Sequence, residues 1–273
     1  MIKVFKRYPL ISFFILAYAI AWIPVGLQGI FGRGILGIAG FAPALAAIIL
    51  ASVNEGQTGV QDLLASLFRW RVGLKWYLTA LLAPLALEVL AIPLQGWLGG
   101  ATTPIHLRDW IRTLPSQLPL LVPVLLFLVL YSSGEELGWR GYALPGLQKR
   151  YGSLWASLIL GILWGLWHLP VLLMSGTVQS GIPVPGYVLA TIGYSFIYTC
   201  IYNGSKGSLL LASLYHASSN LVLNYGNVIS PAVIDNLYLS LIPLAFLVLV
   251  VIVISGEGIF IAKSSLEGEH AVP

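Results

Sequence analysis

The stretch YSSGEELGWRG, residues 131–141, decides how this chain is read. It follows an apolar run over 117–134 that carries no charge. Two adjacent carboxylates, Glu135 and Glu136, then appear with Arg140 close behind. Ionisable side chains at membrane depth are costly and belong by default to a functional site. The question is whether the rest of the chain is membrane-buried and whether other polar groups answer these carboxylates.

Composition answers the first part. The 273 residues are 58% hydrophobic and only 9% charged, whereas a soluble domain carries about 25% charged residues. Mean hydropathy is +0.89. These values describe a polytopic membrane protein. The net charge of +4 does not indicate nucleic acid as a partner, because the chain has no basic stripe with interleaved aromatics. Cys200 is the sole cysteine, which excludes an intrachain disulfide and a thiolate metal cluster. It reads as an inert thiol in an apolar run.

Eight apolar segments approach the roughly 20 residues that a spanning helix needs: 9–30, 35–53, 76–99, 117–134, 153–174, 184–203, 207–226 and 237–260. The expected fold is therefore all-α, one transmembrane domain over 1–273. Lys3, Lys6 and Arg7 before an apolar run, with Ala17-Tyr18-Ala19 inside it, resemble a signal peptide. The run continues to Ile30, so a retained first span is expected. The fourth segment continues or bends near Gly134, because its helical pattern reaches Leu147. Between 54 and 75, the stretch Val60 to Trp70 sets Leu63, Leu64, Leu67 and Phe68 against Asp62, Ser66 and Arg69, as an interfacial helix would.

Charge orients the bundle. With both termini in the cytoplasm, the inside holds Lys3, Lys6, Arg7, Arg69, Arg71, Lys75, Lys149, Arg150, Lys206 and Lys263, and the outside holds Arg33, Arg108 and Arg112. Ten against three satisfies the positive-inside rule. At 1.5 Å per residue, His168 lies roughly 22 Å and His216 roughly 14 Å from the cytoplasmic ends of their spans, and Glu135 roughly 27 Å from the outer end of its own. These depths predict convergence in or near the cytoplasmic half, on a cavity open to the cytoplasm.

The polar groups within the spans form three sets. Glu136 and Arg140 are four apart and share a helical face, while Glu135 is turned away by about 100°. Glu136–Arg140 therefore reads as structural support, and Glu135 as the chemical carboxylate. Trp164 and His168 are four apart, as are His216 and Asn220, so each pair projects from one face. His106 and His270 fall in a loop and a tail. No His-Glu-x-x-His or Gly-x-Ser-x-Gly pattern occurs. Ser132, Ser133, Ser213, Ser218 and Ser219 read as helix-packing hydroxyls. Glu88 is deep in the third segment, where it either lines the cavity or pairs structurally.

These three sets resemble the motifs of the CAAX protease and bacteriocin-processing (CPBP, or Abi) family. Glu135-Glu136-Leu-Gly-Trp-Arg140 matches its Glu-Glu-x-x-x-Arg motif, Trp164-Gly-Leu-Trp-His168 its Phe/Trp-x-x-x-His motif, and His216-Ala-Ser-Ser-Asn220 its His-x-x-x-Asn/Asp motif. The resemblance spans roughly 117–226 and marks that stretch as the catalytic core. It implies an intramembrane endopeptidase in a bacterial or archaeal plasma membrane. The substrate would be a peptide or lipidated protein at the bilayer: a prenylated Cys-a-a-X terminus or a maturing peptide. Glu135 and His168 would activate a water, and His216 and Asn220 would hold the oxyanion. Trp164 would pack on His168. The same resemblance keeps a zinc ion in view, held by Glu135, His168 and His216 with an open water position. Asn220 is a poor zinc ligand, and a metal-free glutamate mechanism uses all four residues. Two other classes stay open: a non-proteolytic immunity or scaffold protein, and a transporter with a proton relay. The latter class often shows paired repeats, and none is found here. Nothing in the sequence fixes the oligomeric state.

Overall fold

The computed structural model describes residues 2–27, 37, 39–97, 107–177 and 179–225, and these are all-helical, with no strand among them. In chain order the elements are α1 (Ile2–Arg7), α2 (Pro9–Gly26), α3 (Ala42–Ala65) and a 3₁₀ turn (Ser66–Phe68). Then come α4 (Leu74–Trp97), α5 (Leu107–Glu136), a π-helical segment (Leu137–Ala143) and α6 (Leu144–Trp167). The last are α7 (Leu169–Leu173), α8 (Val184–Gly204) and α9 (Leu209–Tyr225). Seven of the eight expected apolar segments thus coincide with helices, and 237–260 lies outside the described residues.

Length and apolarity suffice for a membrane crossing in three of the described helical runs: Pro9–Gly26, Leu114–Trp167 and Val184–Gly204. Gly56 breaks α3 at φ 71°, ψ −153°, and Gly152 breaks α6 at φ 75°, ψ 167°. Positive φ at these points is open to glycine at little cost. The fourth segment does not bend at Gly134. It runs on through the π-helical segment, and the break comes at Gly152.

The connections at one end of the bundle are tied together. Arg69 Nη1 donates to the Lys206 carbonyl at 3.2 Å. Ser208 Oγ donates to the Arg69 carbonyl at 2.7 Å, and Gln148 Nε2 to Asn203 Oδ1 at 3.1 Å. Leu10, in the first turn of α2, rests against Gly146. This basic end gathers nine of the ten cations expected inside; Lys263 lies outside the described residues. The 60–70 stretch does not present the expected two faces. Ser66 is buried and Phe68 is 76% exposed, because the helix tightens to a 3₁₀ turn at Ser66 and shifts the phase of the side chains.

Small residues bring the central helices close. Ala42, Ala46, Ala47 and Ala51 form the buried face of α3, which packs on α2 and the π-helical segment. A Cβ at Gly161 would meet the Ile192 backbone, and one at Gly165 would meet Thr191 and Val188, so α6 and α8 approach at backbone distance. The Thr191 hydroxyl donates to the Gly161 carbonyl at 3.0 Å across this contact.

Candidate active site

The site begins with the irregular turn after Glu136. A π-helical stretch is rare and frequent at functional sites. Here Leu137, Gly138, Trp139, Arg140 and Ala143 are all buried. Gly138 lies against Pro43 so closely that a Cβ would strike that residue's backbone. The segment is thus wedged between α3 and the rest of the bundle, which fixes the direction of the carboxylates just before it.

The two carboxylates diverge as their spacing predicts. Glu136 is fully buried, and its Oε1 accepts from Arg140 Nη1 at 2.9 Å. The same oxygen accepts from His216 Nδ1 at 2.7 Å. Arg140, also fully buried, lies over the rings of Tyr198 at 3.7 Å and Trp164 at 4.7 Å. Glu135 meets no cation at salt-bridge distance among the described residues. Its Oε2 accepts two indole N–H groups, from Trp164 at 2.8 Å and from Trp139 at 3.3 Å.

The histidines are held through one nitrogen each. His168 caps the C-terminus of α6, with Pro170 following in α7. Its Nδ1 is 2.9 Å from the Trp164 carbonyl. A carbonyl only accepts, so Nδ1 carries the proton and Nε2 the lone pair. Edge contacts from Trp167 at 4.8 Å and Trp164 at 5.8 Å fix the ring. Trp167 is anchored in turn: Trp22 Nε1 donates to its carbonyl at 2.8 Å, and its own indole donates to the Ala17 carbonyl at 3.3 Å. His216 donates through Nδ1 to Glu136, and its ring meets Tyr198 and Trp164 edge-on.

Glu135, His168, His216 and Asn220 line one cavity of about 480 Å³. α5, the end of α6 and α9 deliver them to it. Trp164 lines it as well, while Glu136 and Arg140 do not. The Glu88 side chain lies outside the described residues. The cavity lies toward one end of the bundle. Its other walls come from the C-terminal end of α2, the chain just before α3, the 170–179 connection and the N-terminal half of α8, all remote from the basic end. The sequence reading began the fourth span at Gln117, but α5 begins at Leu107. Glu135 is fifteen residues from Arg150 and His168 fifteen from Ser153, each roughly 22 Å from the basic end at 1.5 Å per residue.

The chain is similar to known proteins. Residues 117–222 match the family model described as type II CAAX prenyl endopeptidase Rce1-like. The chain is also 29% identical over 187 residues to a protein of Methanococcus maripaludis named CAAX prenyl protease 2, covering 66% of this chain and 68% of that one. Over these residues the chain is similar to CAAX prenyl proteases.

Two contacts of the site were not expected from the sequence. Trp139 stands four residues after Glu135, as Arg140 does after Glu136, and its indole reaches the Glu135 carboxylate. The Glu136–His216 contact joins residues eighty apart and has no local signal. Metal fit can be tested on the side chains. Among the described residues, no three His, Cys, Asp or Glu groups come together closely enough to hold an ion. Glu135, His168 and His216 share the cavity without closing as a cage, so no step is routed through a metal.

Proposed function

We propose that this protein is an intramembrane endopeptidase that hydrolyses a peptide bond of a membrane-associated peptide or lipidated protein. It would be a multi-pass protein of a bacterial or archaeal plasma membrane, with eight spans and cytoplasmic termini. The observation that carries the reading is the meeting of Glu135, His168, His216 and Asn220 on one cavity, although α5, the end of α6 and α9 deliver them.

In this mechanism Glu135 takes a proton from a water held between it and His168 Nε2. The hydroxide attacks the scissile carbonyl carbon. The carbonyl π pair moves to oxygen, and His216 and Asn220 donate hydrogen bonds to that oxyanion. Such preorganised donors stabilise charge as it develops. When the C–N bond breaks, the proton taken by Glu135 passes to the leaving amine, with His168 oriented to share it. Donation by His216 through Nε2 needs both ring nitrogens protonated, since Nδ1 already donates to Glu136. The buried Glu136 carboxylate is the counter-charge for that imidazolium, beside its bond to Arg140.

Cleavage by purified protein of a library of membrane-anchored peptides, prenylated and unprenylated, tests this reading. Turnover that persists in chelator and disappears in the Glu135→Ala, His168→Ala double variant is the expected result. Loss of turnover in chelator with recovery on added zinc would replace the water-activation step. Normal cellular function of the double variant would overturn the enzyme reading altogether.

A further inference from the structure

α8 supplies none of the four residues assigned to the reaction, yet one of its faces forms a wall of the cavity. Tyr187, Thr191, Tyr194 and Tyr198 all line it. They follow one another at spacings of four, three and four, which keeps side chains on one side of a helix. A hydroxyl-bearing residue therefore stands at this wall on each of four successive turns. The Thr191 hydroxyl is engaged by the Gly161 carbonyl at 3.0 Å.

Tyr198 is the member that packing holds without satisfying. It is 1% exposed. The Arg140 guanidinium lies over its ring at 3.7 Å, and Tyr215, Trp164 and His216 meet it edge-on at 4.9, 5.7 and 5.8 Å. The ring is thus fixed in direction. Its hydroxyl, however, has no hydrogen-bond partner among the described residues. Nor is that oxygen one of the polar atoms sealed inside the protein, as the Tyr215 hydroxyl is. The space left to it is the cavity that Tyr198 lines. Buried polar groups are normally hydrogen-bonded, and each exception asks for an explanation.

We propose that Tyr198 is a further catalytic residue, whose hydroxyl donates a third hydrogen bond to the oxyanion beside His216 and Asn220. The proposal rests on the endopeptidase reading. The phenol keeps its proton throughout; it stabilises the charge that forms on the peptide carbonyl oxygen and makes or breaks no covalent bond. A neutral donor suits this place, because it adds a hydrogen bond next to a charged His216 imidazolium without adding like charge. Arg140 strengthens it. A cation over the face of an aromatic ring is attracted by the ring's electrons, and drawing density from the ring makes the phenol a better donor. Arg140 thereby acts on a cavity that it does not itself line.

Tyr198→Phe tests the assignment, since it removes the hydroxyl and keeps the ring under Arg140. Tyr215→Phe is the control: it deletes the sealed hydroxyl of the neighbouring ring. Purified variants are compared with the wild type for cleavage of membrane-anchored peptides and for thermal unfolding in detergent. The expected result is a kcat lowered about 10²-fold in Tyr198→Phe, the usual weight of one oxyanion donor, with KM and unfolding temperature unchanged and Tyr215→Phe like the wild type. Tyr198→4-aminophenylalanine keeps an N–H donor at the same ring position and should recover most of the rate; it also serves should the phenylalanine variant fail to accumulate. A wild-type kcat in Tyr198→Phe, a rise in KM alone, or equal losses in both phenylalanine variants that follow their unfolding temperatures would each overturn the proposal. These outcomes leave wild-type turnover intact, and with it the endopeptidase reading. A wild-type protein without turnover would instead remove that reading, and the donor with it.

Discussion

Behind Glu136 the bundle is solid, and in front of Glu135 it is hollow. The two residues are adjacent and chemically identical, yet their surroundings divide the molecule. Glu136 faces a cation and a histidine on one oxygen and is closed off from solvent. Glu135 faces two neutral indoles and the cavity. A carboxylate engaged by an arginine and a histidine and shut off from the cavity is held in place. One held by two neutral donors through a single oxygen leaves its other oxygen free to meet a ligand in the cavity. The partner, rather than the residue type, divides structural from chemical work.

The largest effect expected from breaking this contrast is on turnover at Glu135. Glu135→Gln keeps an oxygen for the two indoles and removes the base. It should lower kcat by about 10²–10⁴, the usual weight of a positioned general base, with thermal unfolding in detergent nearly unchanged. Arg140→Met should do the opposite. It strands the buried Glu136 carboxylate, a loss of about 3–5 kcal/mol of stability, read as a lowered unfolding temperature before any kinetic change. If Glu135→Gln unfolds the protein and Arg140→Met affects only turnover, the division between the two regions is reversed.

Asn220 sharpens the comparison on the hollow side. It lines the cavity one helical turn beyond His216. Asn220→Ala should lower kcat by about 10²–10³ with KM little changed, as loss of one oxyanion donor does elsewhere. A rise in KM with kcat preserved would make Asn220 a substrate-binding residue instead.

Much of this arrangement was legible in the chain. The divergence of Glu135 and Glu136 follows from 100° per residue. The Glu136–Arg140 pair follows from four-residue spacing, and both survive the π-helical distortion. The start of α5 was misplaced because an apolar run marks where a helix can be buried, not where it begins: Leu107 to Ser116 carry polar residues and are helical all the same. The 60–70 stretch lost its expected faces for a related reason. A period of 3.6 residues holds only while the helix stays α, and Ser66 starts a tighter turn. The Glu136–His216 contact was invisible because tertiary pairing leaves no periodic trace.

The smallest expected effect concerns the indoles on Glu135, and it asks how the chemical carboxylate is aimed. Trp164 donates at 2.8 Å and Trp139 at 3.3 Å to the same oxygen. A hydrogen bond to a charged group contributes about 1.5–3 kcal/mol, with shorter, well-aligned bonds at the upper end. Removal by Trp→Phe, which keeps most of the ring volume, should therefore cost kcat at least about tenfold at Trp164, since each 1.36 kcal/mol is a factor of ten. The loss at Trp139 should be smaller. Trp139 is also fully buried against Phe13 and Trp167, at ring distances of 5.5 and 5.7 Å, so Trp139→Phe should move the unfolding temperature more than Trp164→Phe does. Measuring kcat, KM and unfolding for both variants separates aiming from packing. Equal kinetic losses that track stability would mean that the indoles only fill space, and that the Glu135 carboxylate is directed by the π-helical turn alone.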